Sequence, residues 1–302
     1  RRKYGMLRQK GGGGMELRVL KYFLVVAREE NITKAAALLH VTQPTLSRQL
    51  MGLEEELGVK LFRRGKYHVA LTDDGMLLRR RAQEIVELAE KTEQEFQRKE
   101  GELAGDISIG TGESNSMTDL SRKIAAFRGE HPLVRFHIYS ATADVIQERL
   151  EKSLLDLGML IEPVDIGRYE FTRLPKRDRW GVWVDQEHPL AFKKAVTPKD
   201  LMGVPLLLPR RERVQRELSG WFGDKFEQVE VAATYNLILN AANMIRNGVG
   251  VALGVLIGNL TNELKFIPLS PPMETGSVLV WKKDQTFSPA SAEFLSFLRY
   301  TE

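Results

Sequence analysis

Between Leu17 and Gly58 apolar residues recur at helical spacing in three separate runs, which confines this stretch to short helices around one small core. Leu17, Leu20, Leu24 and Ala27 mark the first helix. Asn31 or Thr33 can cap a second, short helix over KAAALL. After the break HVTQ, Thr42 caps a third, with Pro44 tolerated in its first turn and Gly58 ending it. In that third helix Leu46, Leu50, Leu53 and Leu57 form one stripe predicted to be buried. Two short helices, a tight turn and a third helix make a helix-turn-helix pattern. LFRRGKYHVALT follows as two short β-like runs around Gly65 and Lys66, a hairpin or wing.

From Asp73 to about Glu100 the chain reads as one long helix without proline. Leu78, Ala82, Ile85, Ala89, Thr92 and Phe96 lie alternately four and three apart, a heptad seam that predicts pairing with another helix. The alternative is a helix packed on its own domain. Beyond Gly105 the texture changes. ISIG, VRFHIY, LGMLI, WGVWV, VPLLL, VALGV and SVLVW read as short strands alternating with helical segments, an α/β domain.

At 302 residues the chain is long enough for two or more folding units. It has no cysteine, which excludes disulfides and thiol redox chemistry. The histidines (His40, His68, His131, His137, His188) show no metal-ligand spacing, so neither a metal nor a cofactor is expected. No apolar run approaches the roughly 18 residues of a membrane span, and a cytoplasmic protein is expected. The net charge of +4 is misleading. Without Arg1, Arg2, Lys3, Arg8 and Lys10, 39 basic residues face 40 acidic ones. Those five lie in a glycine-ending stretch, 1–14, that reads as a flexible leader with Met15 the natural start. Any affinity for DNA has to come from local pattern.

That pattern resembles the LysR-type transcriptional regulators. Ala35-Ala36, Gln43-Pro44, Ser47-Arg48, Leu53-Glu54, Leu57-Gly58, Leu61-Phe62, Arg64 and Leu71-Thr72 stand at that family's spacing, and weaker similarity extends over nearly all of the chain after Met15. The resemblance implies a winged helix-turn-helix DNA-binding domain (15–73), a linker and dimerisation helix (74–103), and a two-lobed α/β effector-binding domain (104–302) similar to periplasmic solute-binding proteins. Lobe I is expected at about 104–170 and 266–302, and lobe II at about 171–265. One departure is Met51-Gly52, where the family often carries basic residues. Either something approaches the backbone closely there, or fewer phosphates are held.

With the leucine stripe inward, Pro44, Thr45, Arg48 and Gly52 face outward. Arg48 suits guanine, Gln43 adenine and Thr45 a thymine methyl. Ser47 or Thr33 can meet a phosphate, and Arg63, Arg64 and Lys66 would add phosphate contacts from the wing. The plainer alternative is a merely solvated helix face. In the α/β half, Ser114, Asn115 and Ser116 open a helix after the first strand, with Thr142 at the neighbouring strand end. Arg210, Thr234 and Asn236 are expected opposite, together holding a small carboxylate or similar polar effector. Against that, Ser114 and Ser116 also suit plain helix caps, Arg210 a solvated face, and Glu113 would repel an anion. The tryptophans (Trp180, Trp183, Trp221, Trp281) read as core or interface rather than as a ligand box.

The expected function is sequence-specific transcriptional regulation by a homodimer or homotetramer, switched by a small molecule. An enzyme with an appended DNA module is disfavoured by the lack of a nucleophile elbow, a nucleotide loop, a metal set or an acid/base pair. An architectural DNA binder with a disused sensor remains the third possibility.

Overall fold

The computed structural model describes residues 15–65, 69–96, 102–258, 260 and 262–300. The chain divides into two compact units between Glu93 and Gln94.

In the first unit, helix α1 (Leu17–Glu29) buries Val19, Leu20, Phe23, Val26 and Ala27. It ends where Glu30 turns left-handed and donates its N–H to the Val26 carbonyl. Asn31 caps α2 (Ile32–Leu38) by accepting from the N–H of Lys34, leaving Thr33 within the helix. The buried methyls of Ala35 and Ala36 let α2 lie close to its neighbours. Thr42 caps α3 (Gln43–Leu57), which stops at Gly58 with φ +69°. Leu46, Leu50 and Leu53 are buried as expected, but Leu57 is not: it lies past the last turn that packs on α1 and is 41% exposed.

Strands β1 (Phe62–Arg64) and β2 (Val69–Leu71) form an antiparallel pair. The Phe62 ring packs 5.2 Å from that of Phe23. The N–H of Val69 donates to the carbonyl of Glu30, fastening the hairpin to the end of α1. Thr72 then opens α4 (Asp73–Phe96), accepting from the N–H of Gly75 at 3.0 Å while donating to the Lys60 carbonyl at 2.6 Å. A Cβ on Gly75 would collide with the Leu61 carbonyl oxygen, so only glycine lets the first turn of α4 lie there.

The heptad seam expected along α4 divides. Leu78, Ala82 and Val86 turn into the unit's own core, and Ala82 is fully buried. Ile85 and Leu88 stay exposed, as do Met76 and Leu77. Ala89 is half-buried, and the Phe96 side chain lies outside the described residues. At about 100° per residue the 78–82–86 row faces the core and Leu77 and Leu88 lie well to its side, while Ile85, seven residues after Leu78, sits at the border of the two.

The second unit is two lobes sharing two strands. Lobe I holds β3 (Gly105–Thr111), α5 (Ser116–Glu130), β4 (Val134–Ser140), α6 (Ala143–Glu151) and β5 (Leu157–Ile161), with β3 parallel to both β4 and β5. The long strand β6 (Tyr169–Asp185) leaves it for lobe II. Lobe II contains β7 (Leu206–Pro209), α7 (Glu212–Phe222), β8 (Val231–Tyr235), α8 (Ile238–Arg246), β9 (Val251–Val255) and β10 (Leu264–Pro268). Strand β11 (Glu274–Lys282) and α9 (Pro289–Tyr300) return to lobe I. The strands run in the order β4-β3-β5-β11-β6-β9-β7-β8, with β10 also on β6.

Up to Arg179, β6 pairs with β11 in lobe I; from Trp180 onward it pairs with β9 and β10 in lobe II. The crossing thus falls at the Arg179–Trp180 step rather than near Glu170. The return lies between Pro268 and Glu274, not near Lys265. A strand this long can belong to two sheets, which shifts the change of lobe into its middle. Each lobe buries its own aliphatic and aromatic core, with Phe127 and Phe294 edge to face at 5.0 Å in lobe I. Trp180, Trp183 and Trp281 are buried, whereas Trp221 is only partly so.

Candidate functional site

In the first unit the surface available for recognition is the outward side of α3. Gln43, Pro44 and Arg48 are exposed, while Thr45 and Ser47 are half-buried. The side chains are pre-positioned by one another. Thr42 and Thr45 share a hydroxyl hydrogen bond of 2.8 Å, and the Gln43 amide donates to the Ser47 hydroxyl at 3.0 Å. Arg48 pairs with no acid among the described residues, so its guanidinium donors are open. Thr33 and Arg63 are also exposed. The side chain of Arg64 and all of Lys66 lie outside the described residues. Gly52 borders a hollow of about 160 Å³ also lined by Arg48, Glu16 and Glu56. A Cβ there would meet open space, so no close approach within the chain calls for glycine.

Glu54, two residues beyond Gly52, is a buried acid. One carboxylate oxygen accepts from the N–H groups of Leu61 at 2.8 Å and Phe62 at 3.2 Å; the other meets Lys60 at 2.9 Å. Burial raises the pKa of this carboxyl, but the Lys60 ammonium and the two N–H donors outweigh it and hold it below the usual range.

In the second unit a cavity of about 100 Å³ lies between the lobes. Met159, Ile161, Trp180, Val214, Val255 and Ile257 give it an apolar wall. Glu113, Thr142, Glu162, Arg211 and Asn236 supply its polar groups. Of the seven residues expected to hold a ligand, Thr142 and Asn236 reach this cavity. Ser114 and Ser116 are buried at the start of α5 with hydroxyls that have no partner among the described residues, yet they do not line it. Arg210 and Thr234 are exposed and point elsewhere. Arg211 takes the place expected for Arg210, because the turn from β7 into α7 directs consecutive residues to opposite sides.

Three side chains tie the lobes across this cavity. Asn115 of lobe I donates to the Leu256 carbonyl at 2.9 Å and accepts from the Gly258 N–H at 2.8 Å, both in lobe II. Its amide thereby joins the two lobes. Glu113 accepts from the N–H of Ile238, the first residue of α8, at 2.6 Å. Arg211 of lobe II donates to the carbonyls of Ile161 and Pro163 in lobe I at 3.3 and 3.1 Å. Beside them, Asp178 on the crossing part of β6 accepts from the N–H of Asn115. Burial drives its carboxyl up to about 6; the Asn115 bond opposes this and the nearby Asp119 charge adds to it. Asp178 is 4% exposed, and its Oδ2 has no partner among the described residues. No group of residues among those described has metal-binding spacing.

Residues 17–76 match the bacterial regulatory helix-turn-helix protein of the lysR family, and residues 100–301 match the LysR substrate binding domain. The chain belongs to the LysR family. It is 30% identical to the uncharacterized HTH-type transcriptional regulator YvbU of Bacillus subtilis, over 79% of this chain and 81% of that one. To the Hca operon transcriptional activator HcaR of Escherichia coli it is 29% identical, over 94% and 97%. Among solved structures, full-length BenM is similar at 27% identity with a TM-score of 0.53, covering 94% of this chain and 96% of that one. CbnR, at 23% identity, covers 94% and 98% with a TM-score of 0.76 and supports the fold. LysR-family proteins are transcriptional regulators, not enzymes, and the two-lobed unit is their effector-binding domain.

For this LysR-family chain the residues that sequence reasoning missed are Arg211, Glu162 and the bridging role of Glu113. By its charge alone Glu113 is a poor neighbour for an anion. What it touches, the first N–H of α8, lies more than a hundred residues away along the chain, and no local pattern carries that pairing.

Proposed function

We propose that α3 reads the edges of DNA base pairs in the major groove, with Arg48, Gln43 and Thr45 on bases and Ser47, Thr33, Arg63, Arg64 and Lys66 on phosphates. The observation that carries this is the exposed, unpaired guanidinium of Arg48 on a helix capped at Thr42 and seated by Leu46, Leu50 and Leu53. A CbnR structure in complex with its target DNA, 24% identical, gives the analogy for a double-stranded partner. The effector is a small polar molecule held between the lobes, where it shifts the balance between lobe arrangements. Self-association uses the exposed row Leu77, Ile85 and Leu88 with Ala89 of α4, giving a homodimer and, by a second contact, a homotetramer. Leu78 and Ala82, spent inside the unit, support that pairing from behind. No helix among the described residues is long and apolar enough to cross a membrane, and a bacterial regulator that reads DNA works in the cytoplasm.

The test is selection of bound duplexes from a randomised pool by the full-length protein. A single enriched motif, present as two half-sites, is the expected result. Recovery without any sequence preference would overturn the assignment of α3 as a base reader.

A further inference from the structure

The charges around the interlobe cavity are not balanced alike. Arg211 lies 3.6 Å from Asp144 and donates through its two terminal nitrogens to backbone carbonyls, leaving only its buried Nε without a partner among the described residues. Glu162 lies 3.6 Å from Arg173. Glu113 has no cationic partner among the described residues, and Oε2 alone is engaged, by the Ile238 N–H. That bond also occupies the first N–H of α8, one of the backbone donors on this wall that could receive an anion. Beside Glu113, an incoming carboxylate would meet an unpaired carboxylate and the first N–H of α8 already taken.

We propose that the cavity selects a small ammonium compound with an apolar body, its N–H groups donating to the free oxygen of Glu113 and its carbons lying against Trp180, Val214 and Ile257. The assignment rests on the cavity being the effector site. It narrows the expected polar or carboxylate effector to the opposite charge. A volume of about 100 Å³ suits a body of four or five carbons; an apolar cavity of about 150 Å³ can hold benzene. A charge-assisted hydrogen bond out of bulk water favours the ammonium over its neutral isostere by about tenfold or more.

Isothermal titration of the full-length protein with three matched probes decides it: isobutylammonium, isobutanol and isobutyrate. The ammonium should bind about tenfold tighter than the alcohol, and isobutyrate weakest. Glu113→Gln should bring the ammonium and alcohol to within about threefold of each other. Glu113→Asp, which keeps the charge but withdraws it, should weaken the ammonium and leave the alcohol unchanged. The wild-type ranking needs no variant to fold. If isobutyrate binds tightest, the proposal falls while the cavity stands as a ligand site whose anion displaces Glu113. An ammonium preference that survives both substitutions places the ligand elsewhere and also overturns the proposal. If none of the three binds, the proposal and the assignment of this cavity as the effector site fall together.

Discussion

The Glu54 carboxylate accepts the N–H of Leu61 at 2.8 Å, so a side chain of α3 holds the backbone entering the wing. Glu54→Ala leaves that N–H and the neighbouring Phe62 N–H without an acceptor in a buried place, which costs about 1–3 kcal/mol. Because the folded carboxyl titrates below its ordinary value, its contribution is complete above the unfolded pKa and fades as the pH falls through the folded one. Urea unfolding between pH 3 and 7 should therefore show a flatter acid limb for Glu54→Gln than for the wild type. Identical slopes would mean that the anion adds nothing.

Asp178 has the opposite sign. Its folded carboxyl is raised from an ordinary 3.8 to about 6, so the folded chain holds the proton longer than the unfolded chain does. The resulting stability is complete below the lower value and lost as the pH rises through the upper one. Asp178→Asn removes the buried charge and keeps an acceptor for Asn115. It should raise stability at pH 7.5 by about 1–3 kcal/mol and leave it nearly unchanged near pH 3. A variant less stable than wild type at pH 7.5 would show that the ionised form is held by a partner.

Arg48→Ala should cost about 1–3 kcal/mol on the selected duplex and relax preference at one base position. Arg63→Ala should instead weaken every sequence alike and lower the slope of affinity against salt. Gel-shift titrations at several salt concentrations separate the two. Equal losses on specific and random DNA for Arg48→Ala would demote it to a phosphate contact.

On α4, neighbouring rows predict different failures. Leu88→Asp places a charge on an exposed apolar position and should reduce the sedimenting mass while leaving the melting temperature of the separated protomer intact. Ala82→Asp buries a charge inside the unit's own core and should unfold it. An unchanged assembly for Leu88→Asp would move the interface off this helix.

The elements of the first unit were legible because their signals are local. Asn31 and Thr42 cap the helices they adjoin, and a three-four leucine spacing has one geometric solution. The strands of the α/β unit were legible for a similar reason, as apolar runs between turns. What stayed hidden depends on direction rather than type. Arg210 and Arg211 are chemically alike and adjacent, and the turn alone decides which one meets the cavity. The α4 seam blurred because its positions share one side of the helix, and spacing alone does not say whether that side meets the unit's own core or another helix. Asn115 suits a ligand contact by type and position, and no local pattern announces the partners it meets, Leu256 and Gly258 in the other lobe.

The course of β6 and β11 also sets a timetable. Lobe II, from Trp180 to Pro268, is continuous and can condense once its last strand has left the ribosome. Lobe I cannot. Its β11 enters between β5 and β6, and the Phe294 ring that packs against Phe127 comes later still, on α9. Until those residues emerge, β5 keeps an open edge and Phe127 lacks its lid. A nascent chain therefore carries a finished reader of DNA well before it owns a working sensor. Chaperone demand during synthesis should concentrate on the half-built first lobe.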